Sequence, residues 1–224
     1  MNRLRVRFGR KSPLKFISHL DLMRVWHRAL RRAGVVLAYS EGFNPHPKLS
    51  LAAPLQLGAT SEAELMDVYT VQPIAAAIFA DRLRPELPFG LDIMQVVSVG
   101  LHVPALQAQV RFAEYSVKVN APDESGLGQA ILTLLACDSL PWQHLRDTGV
   151  KKYDLRPLII NLKLADYVEG VATLEMRLKN DAEGTGRPEQ VILALGLEGP
   201  IDIHRTRLIL ETSKTTPTFS SVLQ

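Results

Sequence analysis

The chain has 224 residues, 46% apolar and 22% charged, which suits one or two domains with a sizeable core. Its single cysteine, Cys137, excludes an intrachain disulfide framework and a cluster held by several thiolates, and no apolar run reaches the roughly 18 residues that a membrane span needs. The net charge of +3 is unevenly spread: residues 1–50 hold eleven basic against two acidic residues, whereas the remainder holds fifteen against twenty-one. A polyanionic partner is therefore expected at one end of the chain, unless the two parts neutralise each other.

The first residues, MNRLRVRFGRK, have no apolar signal core, so the cytoplasm is expected. Arg3, Arg5 and Arg7 alternate with Leu4, Val6 and Phe8, which predicts a half-buried strand whose arginines line an exposed sheet face or a domain contact. A helix follows. Ser18 with Asp21 fits a capping box, Leu22, Val25, Trp26, Ala29, Leu30 and Ala33 recur as a buried stripe, and Gly34 suits its end. Arg24, His27, Arg28 and Arg31 share another face with Arg32 beside them, a solvated face or a phosphate-binding one. Residues 39–48 then form a loop stiffened by Pro45 and Pro47, presenting Tyr39, Asn44, His46 and Lys48.

Strands are predicted at 35–39, 67–71 and 91–99, with apolar residues 49–57 continuing a hairpin, a turn at 56–61 and a helix at 73–83. That order, strand, helix, two strands, helix, strand, is the ferredoxin-like βαββαβ pattern. Residues 100–111 read as a boundary, after which the order repeats: strand 113–120, helix 125–136, strand or turn material at 141–145 and 153–164, strand 171–179, helix 188–195 and strand 201–210. The expected fold is α+β, two ferredoxin-like units with antiparallel sheets at 1–100 and 112–211, followed by a loose tail at 212–224.

No reaction is spelled out. The six histidines form no HExxH or Cys/His cluster, so no metal or other cofactor is expected. Gly126-Leu127-Gly128 lacks the third glycine of a dinucleotide fingerprint. Ser12 and Lys15 match SxxK without its companion motifs. His19, at the helix start, and His46, in the stiff loop, would serve as acid and base of a metal-free ribonuclease if they met, with Lys48 or Arg24 holding a phosphate; otherwise His19 bonds to backbone at the helix start. For nucleic acid, the three strand arginines, the helix face and Lys48 would meet phosphates, and Tyr39, Phe43 and His46 would stack on unpaired bases. Arg156 and Arg187 each precede a proline and would pair with Asp154 and Glu189.

SHLDLMRVWHRALRRAG and YSEGFNPHPKLSL, within residues 16–51, resemble the radical-SAM-associated proteins of unknown function, which occur fused behind a cobalamin-binding radical SAM protein or encoded beside one. DLRPLI at 154–159 and GRPEQV at 186–191 look similar too. The family commonly has Gly-His-Leu-Asp where this chain has Ser18-His19-Leu20-Asp21. The resemblance implies a radical SAM partner and RNA as its substrate. The expected function is thus an RNA- or tRNA-binding accessory without activity of its own, with Arg24, Arg28, Arg31 and Lys48 on phosphates, His19, Tyr39, Asn44 and His46 positioning a nucleotide, and Arg187 as a further contact. The alternatives are the His19/His46 endoribonuclease and a protein–protein adaptor.

Overall fold

The structure, a computed structural model, describes residues 1–146 and 149–211, apart from the side chains of 145 and 146; the tail expected at 212–224 lies outside them. The described residues form ten strands and five helices, an α+β chain with mostly antiparallel pairing. Two compact units are distinguished among the described residues, 1–110 with 210–211, and 111–209.

The first unit runs β1 (Asn2–Arg10), α1 (His19–Arg32), β2 (Leu49–Leu51), β3 (Thr60–Thr70), α2 (Ala76–Leu83), β4 (Leu91–Ser98) and the short α3 (Leu106–Gln109). Strand β1 is antiparallel to β4 on one side and to β3 on the other, and β2 pairs with β3. Both long helices therefore connect strands that have a third strand between them. The strand expected at 35–39 forms only isolated bridges, Leu37 to Thr70 and Tyr39 to Pro47. The physical reason is competition for one edge: β2 occupies Met66–Val68 of β3, which leaves 36–38 only two hydrogen bonds with β3 and the residue after it, to Tyr69 O and from the Val71 N–H. Strand β3 starts at Thr60, well before the expected residue 67. Leu65, Met66, Asp67 and Val68 are all buried, so β3 shows no alternation by which its length could be read.

One face of β1 carries Leu4, Val6 and Phe8 into a core shared with Leu22, Trp26 and Leu30 of α1, Phe79 and Leu83 of α2, and Met66 and Val68. On the other face, the first of the two places expected for the arginines, an exposed sheet face, is ruled out for Arg3 and Arg5, which are each only 1% exposed. Arg5 lies directly across from Asp67 in the β1–β3 register. The Asp67 carboxylate, itself fully buried, accepts from Nε of both arginines at 2.9 and 2.8 Å and from Arg5 Nη2 at 3.1 Å. Arg3 also donates to the carbonyls of Val103 (2.6 Å) and Pro104 (2.9 Å), and Arg5 reaches Gln109 Oε1 at 3.4 Å. Residues 103–109, read from sequence as boundary material, thus supply the acceptors that let two guanidinium groups leave water. Arg10, also buried, donates to the carbonyls of Gln56 and Ala59.

The second unit holds β5 (Val110–Asn120), α4 (Glu124–Ala136), β6 (Pro141–Arg146), β7 (Gly149–Asp154), β8 (Ile159–Val168), β9 (Val171–Lys179), α5 (Pro188–Ala194) and β10 (Pro200–Leu210). Its strand order is β10-β5-β9-β8, and β6 and β7 form a separate two-stranded sheet. Gly126 belongs to a helix cap: its N–H and that of Ser125 donate to the Asp123 carboxylate. Arg156 corrects its expected pairing. Its guanidinium donates to the carbonyls of Ile159 and Leu135, while Asp154 accepts the backbone N–H groups of Leu140 and Arg156. Gly186 is required by close approach, since a Cβ there would lie 3.0 Å from both Leu158 O and Leu178 Cβ.

The turn joining β8 to β9 is the two-residue Glu169-Gly170, with φ of 49° and 82°. Such a turn favours Asn-Gly, because a glutamate strains in the left-handed region. Glu169→Asn is expected to stabilise the protein by about 0.5–1 kcal/mol, read as a higher midpoint in chemical denaturation with an unchanged slope.

Candidate functional site

Helix α1 begins at a partial capping box. The Asp21 N–H donates to Ser18 Oγ at 3.1 Å, and Ser18 Oγ donates to Asp21 Oδ2 at 2.8 Å. Instead of capping a backbone N–H, the Asp21 carboxylate takes the hydroxyl and the Arg24 guanidinium, whose Nη1 lies 2.8 Å from Oδ1. The Ser18 hydrogen bond first, then that of Arg24, hold the Asp21 carboxyl below its ordinary value of 3.8. A lowered folded-state pKa favours folding above the unfolded value, and this contribution is lost as pH falls through the folded one. Ser18→Ala is expected to move the Asp21 pKa up towards 3.8 in an NMR titration of the carboxyl carbon, and to cost about 1 kcal/mol through the lost cap.

The charge pattern of the first unit sorts into matched and unmatched cations. Residues 1–110 hold thirteen basic and eight acidic side chains. Arg3 and Arg5 share Asp67, Arg24 takes Asp21, and Arg32 pairs with Glu86 at 2.7 Å. Lys11 and Asp92 are 2.7 Å apart. The carboxylates that answer these cations belong to the same unit. Among the described residues Lys15, Arg28, Arg31, Lys48 and Arg82 have no ion pair and no side-chain hydrogen bond. Arg28 and Arg31 are exposed on α1, and Lys48 is half-buried at the start of β2.

The loop between α1 and β2 is fixed by its own backbone. Ser40 N–H donates to His46 O, His46 N–H to Ser40 Oγ, and Lys48 N–H to Ala38 O. Tyr39, Phe43, Asn44 and His46 are exposed on it. The Tyr39 hydroxyl lies 3.5 Å from His27 Nε2, which ties the loop to the polar face of α1. His19 is exposed at the first residue of α1, and no hydrogen bond or ring contact joins it to His46 among the described residues. Arg187 is exposed before Pro188 at the start of α5, in the second unit. Sequence reasoning counted all the N-terminal cations alike; the i,i+3 spacing of Asp21 and Arg24 was a readable signal that one of them is already satisfied. No group of three or more His, Cys, Asp or Glu side chains gathers among the described residues. None of the described helices is long and apolar enough to cross a membrane.

The family described as "Uncharacterized protein conserved in bacteria (DUF2344)" matches residues 3–188. The chain belongs to this family. A search of curated proteins finds no match. Among solved structures, a chain from the crystal structure of a Cbf5-Nop10-Gar1 complex aligns with a TM-score of 0.52 at 7% identity, covering 92% of this chain and 48% of that one. A chain of the archaeal box H/ACA sRNP Nop10-Cbf5 complex aligns at 0.43 and 10% identity, covering 96% and 60%. This chain spans about half the length of the first of these, and the likeness is one of fold.

Proposed function

We propose that this DUF2344 protein binds RNA, tRNA included, through α1 and the loop that follows it, and presents it to a partner radical SAM enzyme. Three exposed or half-buried cations without a carboxylate partner, Arg28, Arg31 and Lys48, carry the reading. Elsewhere in the unit the chain matches Arg3, Arg5, Lys11, Arg24, Arg32 and Arg84 with its own acids; Arg7, Lys15 and Arg82 also have no carboxylate, but Arg28, Arg31 and Lys48 are the ones that lie on α1 and at the end of its loop, where an outside anion could meet them together. Arg24 is then a weaker phosphate contact than its neighbours, since phosphate must displace Asp21. Tyr39, Asn44, His46 and His19 border the same helix and loop and would position the nucleotide. The radical SAM partner rests on the resemblance of residues 16–51. We also read each unit as ferredoxin-like, because, with the separate β6–β7 pair set aside, each orders the strands of its main sheet fourth, first, third, second.

Filter binding of the full chain to bulk tRNA at about 50 mM salt tests the reading. The logarithm of affinity should fall linearly with the logarithm of salt. Replacing Arg28, Arg31 and Lys48 together by Gln should lessen the slope by about 2, at roughly 0.7 per phosphate on a single strand. No affinity in the unaltered protein removes the proposal.

A further inference from the structure

We infer that the basic surface selects single-stranded over double-stranded RNA, and that Phe43 is the residue that stacks on an unstacked base. The inference rests on the proposed RNA binding and adds to it the class of RNA and a contact residue. Phe43 is fully exposed at the loop tip, packing against nothing. A phenyl ring in water is unfavourable by its apolar area, so its place at the tip of a loop closed at its base points to a flat apolar surface supplied from outside. The base of the loop is held: three backbone N–H bonds close it between Ala38 and Lys48, Pro45 and Pro47 fix their own φ, and Gly42 takes the turn at φ 120°.

The neighbours of Phe43 define the ligand. Tyr39, 48% exposed, and the exposed His46 lie on the same loop, and Lys48 follows. Through Tyr39 and His27 the loop is tied to the helix that carries Arg28 and Arg31. A π-face joined to a phosphate is the chemistry of a nucleotide. In a duplex the π-faces are stacked inside the helix, and a protruding phenyl finds only sugar and phosphate edges. In a single strand each base offers a face, and stacking on an aromatic side chain contributes without regard to sequence. Phosphate contacts alone would serve both forms; the exposed ring favours one.

Fluorescence anisotropy with an unstructured mixed-sequence oligoribonucleotide, and with the duplex it forms with its complement, tests this in the full chain. Phe43→Ala should weaken single-strand binding by about five- to hundred-fold, leave the duplex affinity unchanged and leave the salt slope unchanged; Phe43→Trp should retain the single-strand affinity. Phe89 is 84% exposed at the turn into β4, between Glu86 and Asp92, and Phe89→Ala is the control, expected to change neither. If Phe43→Ala binds the single strand like the unaltered protein, or if both alanine variants lose affinity alike, the inference is overturned while RNA binding stands. If the unaltered protein binds neither RNA, both fail together.

Discussion

Asp67→Asn is expected to be the most damaging single substitution in the first unit. Its carboxylate is the charge partner of both Arg3 and Arg5, and all three side chains are at most 1% exposed. Asparagine keeps the size of the side chain and one acceptor oxygen, but removes the negative charge. Two guanidinium groups, which stay protonated at any accessible pH, would then share a buried volume with no counter-ion. Breaking a single buried pair costs about 3–5 kcal/mol, and here one substitution breaks two. That is comparable with the whole stability of a typical domain, about 5–15 kcal/mol. The expected result is loss of cooperative unfolding of the first unit, read from tryptophan fluorescence at Trp26. Asp67→Glu keeps the charge but overfills the site, and should cost less than Asp67→Asn. If Asp67→Asn unfolds at the same denaturant concentration as the unaltered protein, the arginines do not depend on this carboxylate.

The cluster also marks where the sequence stopped being readable. Alternation along residues 3–8 located β1 correctly, because Leu4, Val6 and Phe8 do face the core. The same alternation left the arginines either in water, as on a sheet covered on one face, or at a domain contact, and could not decide between them. Nothing local distinguishes an arginine on an open face from one buried under a segment a hundred residues further along the chain. Asp67 lies 62 residues from Arg5 and the Val103 carbonyl 100 residues from Arg3, so the acceptors are visible only once the chain is folded. Strand β9 (Val171–Lys179) shows the opposite case. Leu174, Met176 and Leu178 are buried and Glu175 and Arg177 are exposed, and its limits follow from the alternation alone. Helix α1 was legible for a similar reason: its cap, stripe and stop are all local signals. At the candidate site, composition exposed the excess of positive charge but could not show which cations the chain satisfies itself. That division depends on Glu86 and Asp92 returning from elsewhere in the sequence to Arg32 and Lys11.

Trp26 connects this packing to the proposed binding surface, and its two substitutions should separate cleanly. The side chain is fully buried, and its ring meets Phe8 edge-on with centroids 4.8 Å apart and planes at 68°. Such a pair contributes about 0.5–1.5 kcal/mol beyond the area it buries. Its indole N–H meets no acceptor among the described residues, and a buried donor left unmatched opposes folding by about 1–3 kcal/mol. Trp26→Ala removes the ring and leaves a cavity between α1 and β1, with an expected cost of about 3–5 kcal/mol. Trp26→Phe loses ring volume but also removes the unmatched donor, so the two changes offset and less than about 1.5 kcal/mol is expected. At about 100° per residue, Arg28 and Arg31 lie roughly 200° and 140° around the helix from Trp26, on the face turned away from the core. Trp26→Phe should therefore bind tRNA as the unaltered protein does, whereas Trp26→Ala should lose binding only in proportion to the fraction unfolded. Equal destabilisation by the two variants in urea would show that the N–H is satisfied after all. Lost binding in a fully folded Trp26→Phe would show that the ring acts on the basic face directly rather than by seating the helix that carries it.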